Sequence, residues 1–197
     1  LETDDYIVVN KKAGVFSQVD PQGLSITEQL KYYYKQAHTE LAIGVKVGVS
    51  NRLDRNTSGI IISGKTLPMI QALNKSIMEK QATKLYRTIV AGRITTELIL
   101  KNFISKDSTT NKVEVGSDGD AYIETIIRPI QHSYAYTEVE VELITGKTHQ
   151  IRAHLASISH PVIGDTKYGN QTINAYMRKK YGLKHQLLHS YHYKLFL

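Results

Sequence analysis

Residues 51–65 read NRLDRNTSGIIISGK and join a short polar loop directly to an apolar run. In the loop a single carboxylate, Asp54, stands between Arg52 and Arg55. Gly59 then opens GIIIS, whose length and continuous apolar character predict a strand covered on both faces. A loop held by a buried strand is a common position for reactive groups. This segment therefore predicts a central strand and a candidate functional loop.

The segments on either side of this loop alternate between strand and helix patterns. Alternating or apolar runs predict strands at 6–10, 84–92 and 136–146, and weaker strand signals between 97 and 128 are broken by the turn sequences KDSTTN and GSDGD. Helical patterns occur at 25–36, where Ser25 and Glu28 form a capping box, at 67–80, and at 149–159, where Thr148 is the predicted cap. This order predicts a mixed α+β domain with one central sheet.

Composition narrows the class of protein. The 25 Lys and Arg exceed the 18 Asp and Glu, and the net charge of +7 favours an anionic partner, nucleic acid first and a membrane surface as the alternative. No apolar run approaches the length of a membrane span and no signal segment opens the chain, so we expect a soluble, intracellular protein. The lack of cysteine excludes disulfides, thiolate nucleophiles and cysteine-based zinc sites.

The length of 197 residues suits one domain, or two small subdomains sharing one core. The chain begins at Leu1 and ends at Leu197 within an alternating run, so both ends look trimmed.

The chemistry open to Asp54 depends on its cationic neighbours. An acid near arginines in a loop is most often a salt-bridge partner or a turn cap. A glycosidase would need a second carboxylate, and the sequence offers no obvious partner. An acid flanked by cations is expected to remain ionised, which suits a nucleophile better than a general acid.

A second group of polar residues lies in TGKTHQIRAHL, which begins at Thr145. His149 and Arg152 are one helical turn apart, so both can project from one face near a helix N-terminus, where backbone N–H groups favour anions. The alternative is a capped amphipathic helix with an incidental arginine. The following GDTKYG is compatible with a simple turn.

The histidine spacing argues against a metal site. His149 and His154 do not share a helical face, whereas His185 and His189 have zinc-like spacing but lack a third ligand pattern. The sequence therefore predicts no metal.

Tyr86 is the aromatic candidate. A tyrosine in a strand is ordinarily part of the core, and this chain has 13 tyrosines. Tyr86 is a candidate because the chain also offers a carboxylate and basic residues, and a flipped base needs an aromatic face near a carboxylate and a basic groove.

Five motifs occur together in one order: NRLDRNTSG, KLYRTIVAG, TGKTHQIRAHL, SHPVIGDTKYG and LLHSYHYKL. In that order and rough spacing they resemble the pseudouridine synthases of the RluA type, and VVNKKAG near the start resembles that family's opening strand and turn. The resemblance covers nearly the whole chain. It implies the pseudouridine synthase catalytic fold over residues 1–197: an α+β fold with a mixed, mostly antiparallel central sheet and flanking helices, in which two subdomains share one sheet.

The resemblance also implies roles for four residues. Asp54 matches the catalytic aspartate, which attacks the ribose anomeric carbon or assists glycal formation; both routes stay open. Tyr86 matches the tyrosine that packs on the target uracil, and Arg152 matches the arginine that pairs with the aspartate. Arg52 matches the arginine that fills the space left by the flipped nucleotide. The family uses no cofactor or metal.

The remaining basic candidates are expected to contact RNA. Arg55 has no role carried over by the resemblance, and a phosphate contact is the expectation for it. Lys84, Lys147 and His149 complete the candidate RNA-binding set.

Three positions depart from the family pattern. Asn51 stands where the family usually has histidine, Lys12 where it usually has proline, and Lys147 where arginine is common. None of them removes the aspartate, the tyrosine or the paired arginine.

The sequence thus predicts an isomerase that converts uridine in structured RNA to pseudouridine. Ribosomal RNA is the first expected substrate, with transfer RNA also open, and the protein is expected to be a cytoplasmic monomer without a membrane partner. The alternatives are a catalytically inactive RNA-binding or ribosome-assembly module, and an unrelated hydrolase that uses Asp54. The hydrolase is disfavoured because a second carboxylate and metal ligands are lacking.

Overall fold

The computed structural model describes residues 1–18, 25–37, 41, 45–79, 81–107 and 112–196. Eight strands and four helices occur in these residues, and the strands form a mixed, mostly antiparallel sheet. The predicted fold class is confirmed. The predicted turn KDSTTN lies partly outside the described residues. The chain divides into two compact units, Leu1–Ala82 with Tyr193–Leu197, and Thr83–His192.

The first unit contains two strands and two helices. Strand β1 (Tyr6–Lys11) pairs antiparallel with β2 (Ser58–Gly64), so that Lys11 lies opposite Gly59. Helix α1 (Ile26–Gln36) begins after Ser25, whose side chain accepts the Glu28 N–H at 3.3 Å, as the capping pattern predicts. Helix α2 (Leu67–Met78) follows β2. Buried aliphatic side chains of these elements form the core of the unit: Ile7, Ile26, Leu30, Ile61, Ile62 and Leu73.

Gly64 permits a close approach of β2 and α2. A Cβ atom at this position would lie 2.7 Å from the Ile70 side chain and 3.0 Å from the Ile70 backbone nitrogen. A larger residue would therefore push the helix away from the strand.

The second unit contains the other strands and helices. The strands are β3 (Thr83–Ala91), β4 (Leu98–Lys106), β5 (Val113–Gly116), β6 (Ala121–His132), β7 (Tyr136–Leu143) and β8 (Leu188–Lys194), of which the last two residues of β8 are assigned to the first unit. They follow the order β8-β3-β7-β6-β4-β5, and the pairs β3–β7, β7–β6, β6–β4 and β4–β5 are antiparallel. Val139, Val141 and Leu143 are buried on one face of β7, as the alternation predicts.

Helices α3 (Gln150–Ser157) and α4 (Gln171–Tyr181) complete the unit. The prediction that Thr148 caps α3 is wrong. His149 occupies the cap position in a left-handed conformation, with φ of 54°, and makes no side-chain capping bond. Helix α4 has no counterpart among the helices predicted from the sequence.

In the described part of the chain, no helix has the length and apolar character that a membrane crossing needs.

Candidate functional site

The Asp54 loop lies in the first unit and leads into β2. Arg52 and Arg55 are exposed, Leu53 is buried, and Asp54 is partly exposed. The Thr57 N–H donates to the Asp54 carbonyl at 3.1 Å, which closes the turn. The loop therefore uses Leu53 as its apolar anchor and presents charged side chains on either side of it.

Two polar side chains fasten this loop to its surroundings. The Ser17 hydroxyl donates to the Leu53 carbonyl at 2.8 Å and accepts the Leu53 N–H at 3.0 Å. The Asn51 amide donates to the Ile60 carbonyl at 2.9 Å and accepts the Ile62 N–H at 2.8 Å. Asn51, one of the departures from the family pattern, thus acts as a clamp between the loop and β2.

Lys11 is a fully buried cation beneath the loop, with 0% of its surface exposed. Its ammonium donates to the carbonyls of Val15 at 2.7 Å, Arg55 at 2.9 Å and Lys12 at 3.2 Å. Burial lowers the pKa of Lys11 to about 8, and the negative charge of Asp54 opposes that shift. Lys11 therefore ties the backbone beside Asp54 to the end of β1 and places a positive charge close to the carboxylate.

Lys11 is not among the functional residues predicted from the sequence. The available signal was its spacing of four from Ile7, which places both residues on the same face of an alternating strand.

Arg55 is anchored as well as exposed. Its Nε donates to the Gly14 carbonyl at 3.1 Å, the Gly14 N–H donates back to the Arg55 carbonyl at 2.9 Å, and its guanidinium lies 4.8 Å from the centroid of the Phe16 ring. Arg55 therefore holds the loop against the turn at Gly14. Its expected phosphate contact stays a prediction.

Tyr86 and Lys84 lie on one face of β3 in the second unit, and both are buried, with 6% and 9% of their surfaces exposed. Tyr86 is opposite Val141 in the register. A methyl group added at Gly146 would lie 3.5 Å from the Lys84 ammonium. Lys84 is therefore placed against the loop before α3, and its expected RNA contact stays a prediction.

Arg152 projects from α3 and is held by a carboxylate that sequence reasoning missed. Its Nε donates to Asp165 Oδ2 at 2.7 Å and its Nη2 donates to Oδ1 at 2.9 Å. Asp165 is fully buried, and its Oδ1 also accepts the N–H groups of Lys167 at 2.8 Å and Tyr168 at 3.1 Å. Burial alone would raise the pKa of Asp165, but the hydrogen bonds and charge of Arg152 outweigh it and the pKa is lowered.

This pairing gives GDTKYG a role beyond that of a turn, because it carries the acid that orients Arg152. The pair engages the Nε and Nη2 atoms of the guanidinium.

His149 and Arg152 meet at Tyr168. The Tyr168 hydroxyl accepts the Val113 N–H at 2.9 Å and shares a 2.9 Å hydrogen bond with His149 Nδ1, while the Arg152 guanidinium lies 5.1 Å from the Tyr168 ring centroid. Both side chains contact Tyr168, but they do not project from one helical face as expected. His149 reaches the ring from its left-handed cap position rather than from the helical face.

Gln150, a further residue of the same motif, fixes α3 to the sheet. The Gln150 amide donates to the Glu124 carbonyl and the Thr125 hydroxyl, and it accepts from the Thr145 hydroxyl and the N–H of Lys147, at 2.9 to 3.0 Å. Lys147 itself is exposed. Gln150 thereby satisfies its hydrogen-bonding groups while buried.

His154 is also structural. Its ring nitrogens bond to the Thr125 hydroxyl at 2.8 Å and to Asn102 Oδ1 at 3.1 Å. Burial lowers the pKa of His154 to about 4, so it is neutral at physiological pH. Among the residues that the structure describes, no group of three or more His, Asp or Glu is placed to hold a metal ion.

The candidate residues are divided between the units. The first unit holds Asp54, Arg52 and Arg55, whereas the second holds Tyr86, Lys84, Lys147, His149 and Arg152. Buried neighbours hold the Asp54 loop in the first unit and the Arg152 side chain in the second. The pairing of Asp54 with Arg152 stays a prediction.

Comparisons with known proteins agree with the motifs. A family model described as RNA pseudouridylate synthase matches residues 5–157. Ribosomal large subunit pseudouridine synthase D of Vibrio cholerae serotype O1 is 30% identical over 172 residues, which are 86% of this chain and 52% of that relative. The chain thus spans about half the length of the curated relatives it matches.

Two solved human structures have the same fold. RNA pseudouridylate synthase domain containing 4 superposes with a TM-score of 0.80 at 22% identity, and covers 98% of this chain and 82% of its own. RNA pseudouridylate synthase domain containing 1 superposes with a TM-score of 0.78 at 21% identity, with coverages of 98% and 76%. Since the family model spans most of the sequence and includes Asp54, Tyr86 and Arg152, the chain belongs to the RNA pseudouridylate synthase family.

Proposed function

We propose that this chain is a catalytic domain that converts uridine in structured RNA to pseudouridine, with ribosomal RNA as the substrate class. The observation that carries the proposal is the Asp54 loop, in which an exposed pair of arginines flanks a carboxylate held over the buried Lys11. The net charge of +7 suits an RNA partner. The matched relatives are named as ribosomal large-subunit pseudouridine synthases, which favours ribosomal RNA over transfer RNA.

In the proposed reaction the target uridine leaves its stack and enters the site. Asp54 attacks the anomeric carbon of the ribose, or assists loss of its neighbouring proton to give a glycal, as the bond to the uracil nitrogen breaks. The detached uracil rotates and its fifth carbon bonds to the anomeric carbon. On the first route the bond between Asp54 and the sugar breaks in this step, and on the glycal route the proton returns to the neighbouring sugar carbon. The proton on that carbon is then lost and the former glycosidic nitrogen takes up a proton, so the reaction is an isomerisation.

The other candidate residues support this sequence of steps. Tyr86 packs on the uracil and keeps the detached base in place. Arg152, oriented by its bonds to Asp165, pairs with the Asp54 carboxylate. Arg52 fills the space vacated by the flipped nucleotide, and Arg55, Lys147 and His149 contribute contacts to RNA.

We further propose that the domain acts as a monomer in the cytoplasm. It needs no metal or cofactor, since each step above is performed by side chains of this chain and groups of the RNA.

The experiment that tests the function is release of tritium from RNA labelled at the fifth carbon of uridine. RNA isolated from cells lacking the protein serves as substrate, and Asp54→Asn is compared with Asp118→Asn, an exposed acid on the hairpin after β5. We expect Asp54→Asn to bind RNA and to lose turnover by several orders of magnitude, because the removed charge acts chiefly in the transition state. Asp118→Asn should behave as wild type.

Three results would correct the proposal in different ways. If wild type releases no tritium from any of these RNAs, the chain is an RNA-binding module without this activity. If Asp54→Asn releases tritium as fast as wild type, the chemistry belongs to another residue. Release from purified transfer RNA but not from ribosomal RNA would change the substrate class alone.

A further inference from the structure

The C-terminal part of the chain is strongly basic. Residues 166–197 include six Lys or Arg and no Asp or Glu. Four of these cations lie in or just after α4: Arg178, Lys179, Lys180 and Lys184. This segment therefore accounts for most of the net charge of the protein.

Helix α4 lies at the surface along its whole length. None of its 11 residues is buried, and Tyr176 and Tyr181 expose 48% and 65% of their surfaces. Arg178, Lys179 and Lys180 are located beside these rings along the helix. A helix that buries no residue gains little from packing, so its composition is open to selection for a surface role.

The two exposed tyrosines are organised around one cation. The Lys180 ammonium lies 5.3 Å from the Tyr176 ring centroid and 5.2 Å from that of Tyr181, and it donates to the Tyr176 hydroxyl at 2.8 Å. The ring centroids are 6.4 Å apart with an interplanar angle of 83°. Hydrogen bonds to the two hydroxyls raise the pKa of Lys180, which keeps it cationic.

Both ends of α4 are firmly capped. Asn170 Oδ1 accepts the Ile173 N–H at 3.0 Å, and Gly182 ends the helix with φ of 67°. The Asn174 side chain also bonds to two backbone groups of the turn after α3: it accepts the Gly164 N–H at 2.7 Å and donates to the Asp165 carbonyl at 2.8 Å. The helix is thus fastened to the residue whose carboxylate orients Arg152.

We propose that α4 and Lys184 form a second RNA-contact surface, outside the site that holds the target uridine, with RNA phosphates on Arg178, Lys179 and Lys184 and an exposed base stacked on Tyr181. The combination of clustered cations with exposed aromatic faces suits nucleic acid, because cations track the backbone and rings stack on bases. An anionic membrane would need a broad aliphatic face as well, and α4 has only Ile173 and Met177, both half-buried. The proposal rests on the proposed function in taking RNA as the partner.

The electrostatic test compares two triple variants of equal charge. One carries Arg178→Gln, Lys179→Gln and Lys184→Gln. The control carries Lys31→Gln, Lys35→Gln and Lys75→Gln, three exposed lysines of α1 and α2. The probe is large-subunit ribosomal RNA transcribed in vitro, and Kd is measured by filter binding from about 0.05 to about 0.3 M salt, a range over which phosphate contacts change affinity steeply.

Each lost phosphate contact should lower the slope of log Kd against log salt by roughly 0.7 to 0.9. Loss of all three contacts should therefore make the ratio of variant to wild-type Kd rise by roughly 40- to 130-fold as salt falls from about 0.3 to about 0.05 M. The control should keep a ratio within a few-fold of one. Equal slopes for wild type and the α4 variant, or equal losses in both triple variants, would overturn the proposal.

The stacking test uses Tyr181 alone. Tyr181→Leu removes the ring and should weaken RNA binding by roughly 5- to 150-fold, whereas Tyr181→Phe should keep wild-type affinity. If Tyr181→Leu binds RNA as tightly as wild type, the proposed stacking contact is wrong. Far-ultraviolet circular dichroism and the thermal midpoint confirm that every variant is folded.

Two further outcomes are informative. The first tests whether the partner of α4 is a membrane, and the second separates the α4 surface from the proposed isomerase activity. If the α4 variant loses binding to phosphatidylserine vesicles but keeps RNA binding, the partner is a membrane and the RNA proposal is wrong. The assays measure binding without turnover, so they can uphold the α4 surface even if tritium release fails. In that case the proposed isomerase activity falls and the second RNA surface stands.

Discussion

Substitution of Asp165 by asparagine tests the structural basis of Arg152. The amide has nearly the shape of the carboxylate, so its oxygen can keep the Oδ1 position and the hydrogen bonds from Lys167 and Tyr168. The amide nitrogen then replaces Oδ2 and faces the Arg152 Nε–H, which is a donor. One charge-assisted hydrogen bond is lost, and the guanidinium loses its buried counter-charge.

The burial of the pair sets the size of the effect. Asp165 exposes 0% and Arg152 7% of its surface, so water cannot replace the lost contact. Removal of one partner of a buried pair typically destabilises a protein by about 3 to 5 kcal/mol. Because the isosteric amide keeps part of the network, we expect the lower end, about 3 kcal/mol. At an m-value of about 2 to 3 kcal/mol/M this corresponds to a fall of about 1 to 1.5 M in the urea midpoint.

The pH dependence of this difference identifies the charge as the cause. The pKa of folded Asp165 lies below its ordinary value near 3.8, so its ionisation stabilises the fold above that value and the contribution is lost as pH falls through the folded pKa. The gap in unfolding free energy between wild type and Asp165→Asn should therefore stay constant from about pH 5 to about pH 8 and narrow below about pH 4.

Urea unfolding followed by circular dichroism measures this gap, with Asp118→Asn as the exposed control, expected within about 0.5 kcal/mol of wild type. Turnover of labelled RNA by Asp165→Asn should also fall, by roughly 100-fold if Arg152 moves by about 1 Å. A variant with the wild-type midpoint at neutral pH would refute the reasoning, since the pair would then contribute nothing to stability or position.

Three other substitutions test separate parts of the structure. Tyr86→Phe should keep RNA affinity and lose turnover; equal tritium release would show that the hydroxyl has no chemical part. Because burial lowers the pKa of Lys11 to about 8, wild type should gain stability relative to Lys11→Met as pH rises from 8 towards 10.5, and parallel thermal midpoints over that range would contradict this. Because the pKa of His154 is lowered to about 4, wild type should lose stability from pH 6.5 to 4, a loss that His154→Gln should lack when both are unfolded in urea.

Local patterns in the sequence are sufficient to predict much of the fold. The continuous apolar run predicts β2, the alternation of Val139 and Val141 predicts the buried face of β7, and Ser25 predicts the start of α1. Each of these features depends on residues a few positions apart, where periodicity and capping chemistry apply directly.

Some features could not be predicted from the sequence, because they depend on contacts between residues far apart in the chain or, for α4, because the helix lacks a core-facing side. Helix α4 buries no residue, so it has no apolar stripe to reveal it. The pairing of Arg152 with Asp165 spans 13 positions and requires the turn after α3 to fold back. The left-handed conformation of His149 could not be predicted either, because only a few per cent of residues other than glycine adopt it.

In each unit a buried charged residue supports a candidate catalytic side chain. Lys11 lies beneath the partly exposed Asp54, and Asp165 lies behind Arg152. Burial of a charge is unfavourable unless hydrogen bonds satisfy it, and both supports are satisfied, Lys11 by three carbonyls and Asp165 by Arg152 and two backbone N–H groups. Such groups cannot move without losing these bonds, so they hold the residue above them in one position. It follows that substitution of either support should lower turnover far more than RNA affinity, because the position of the reactive groups changes while the exposed basic residues stay in place.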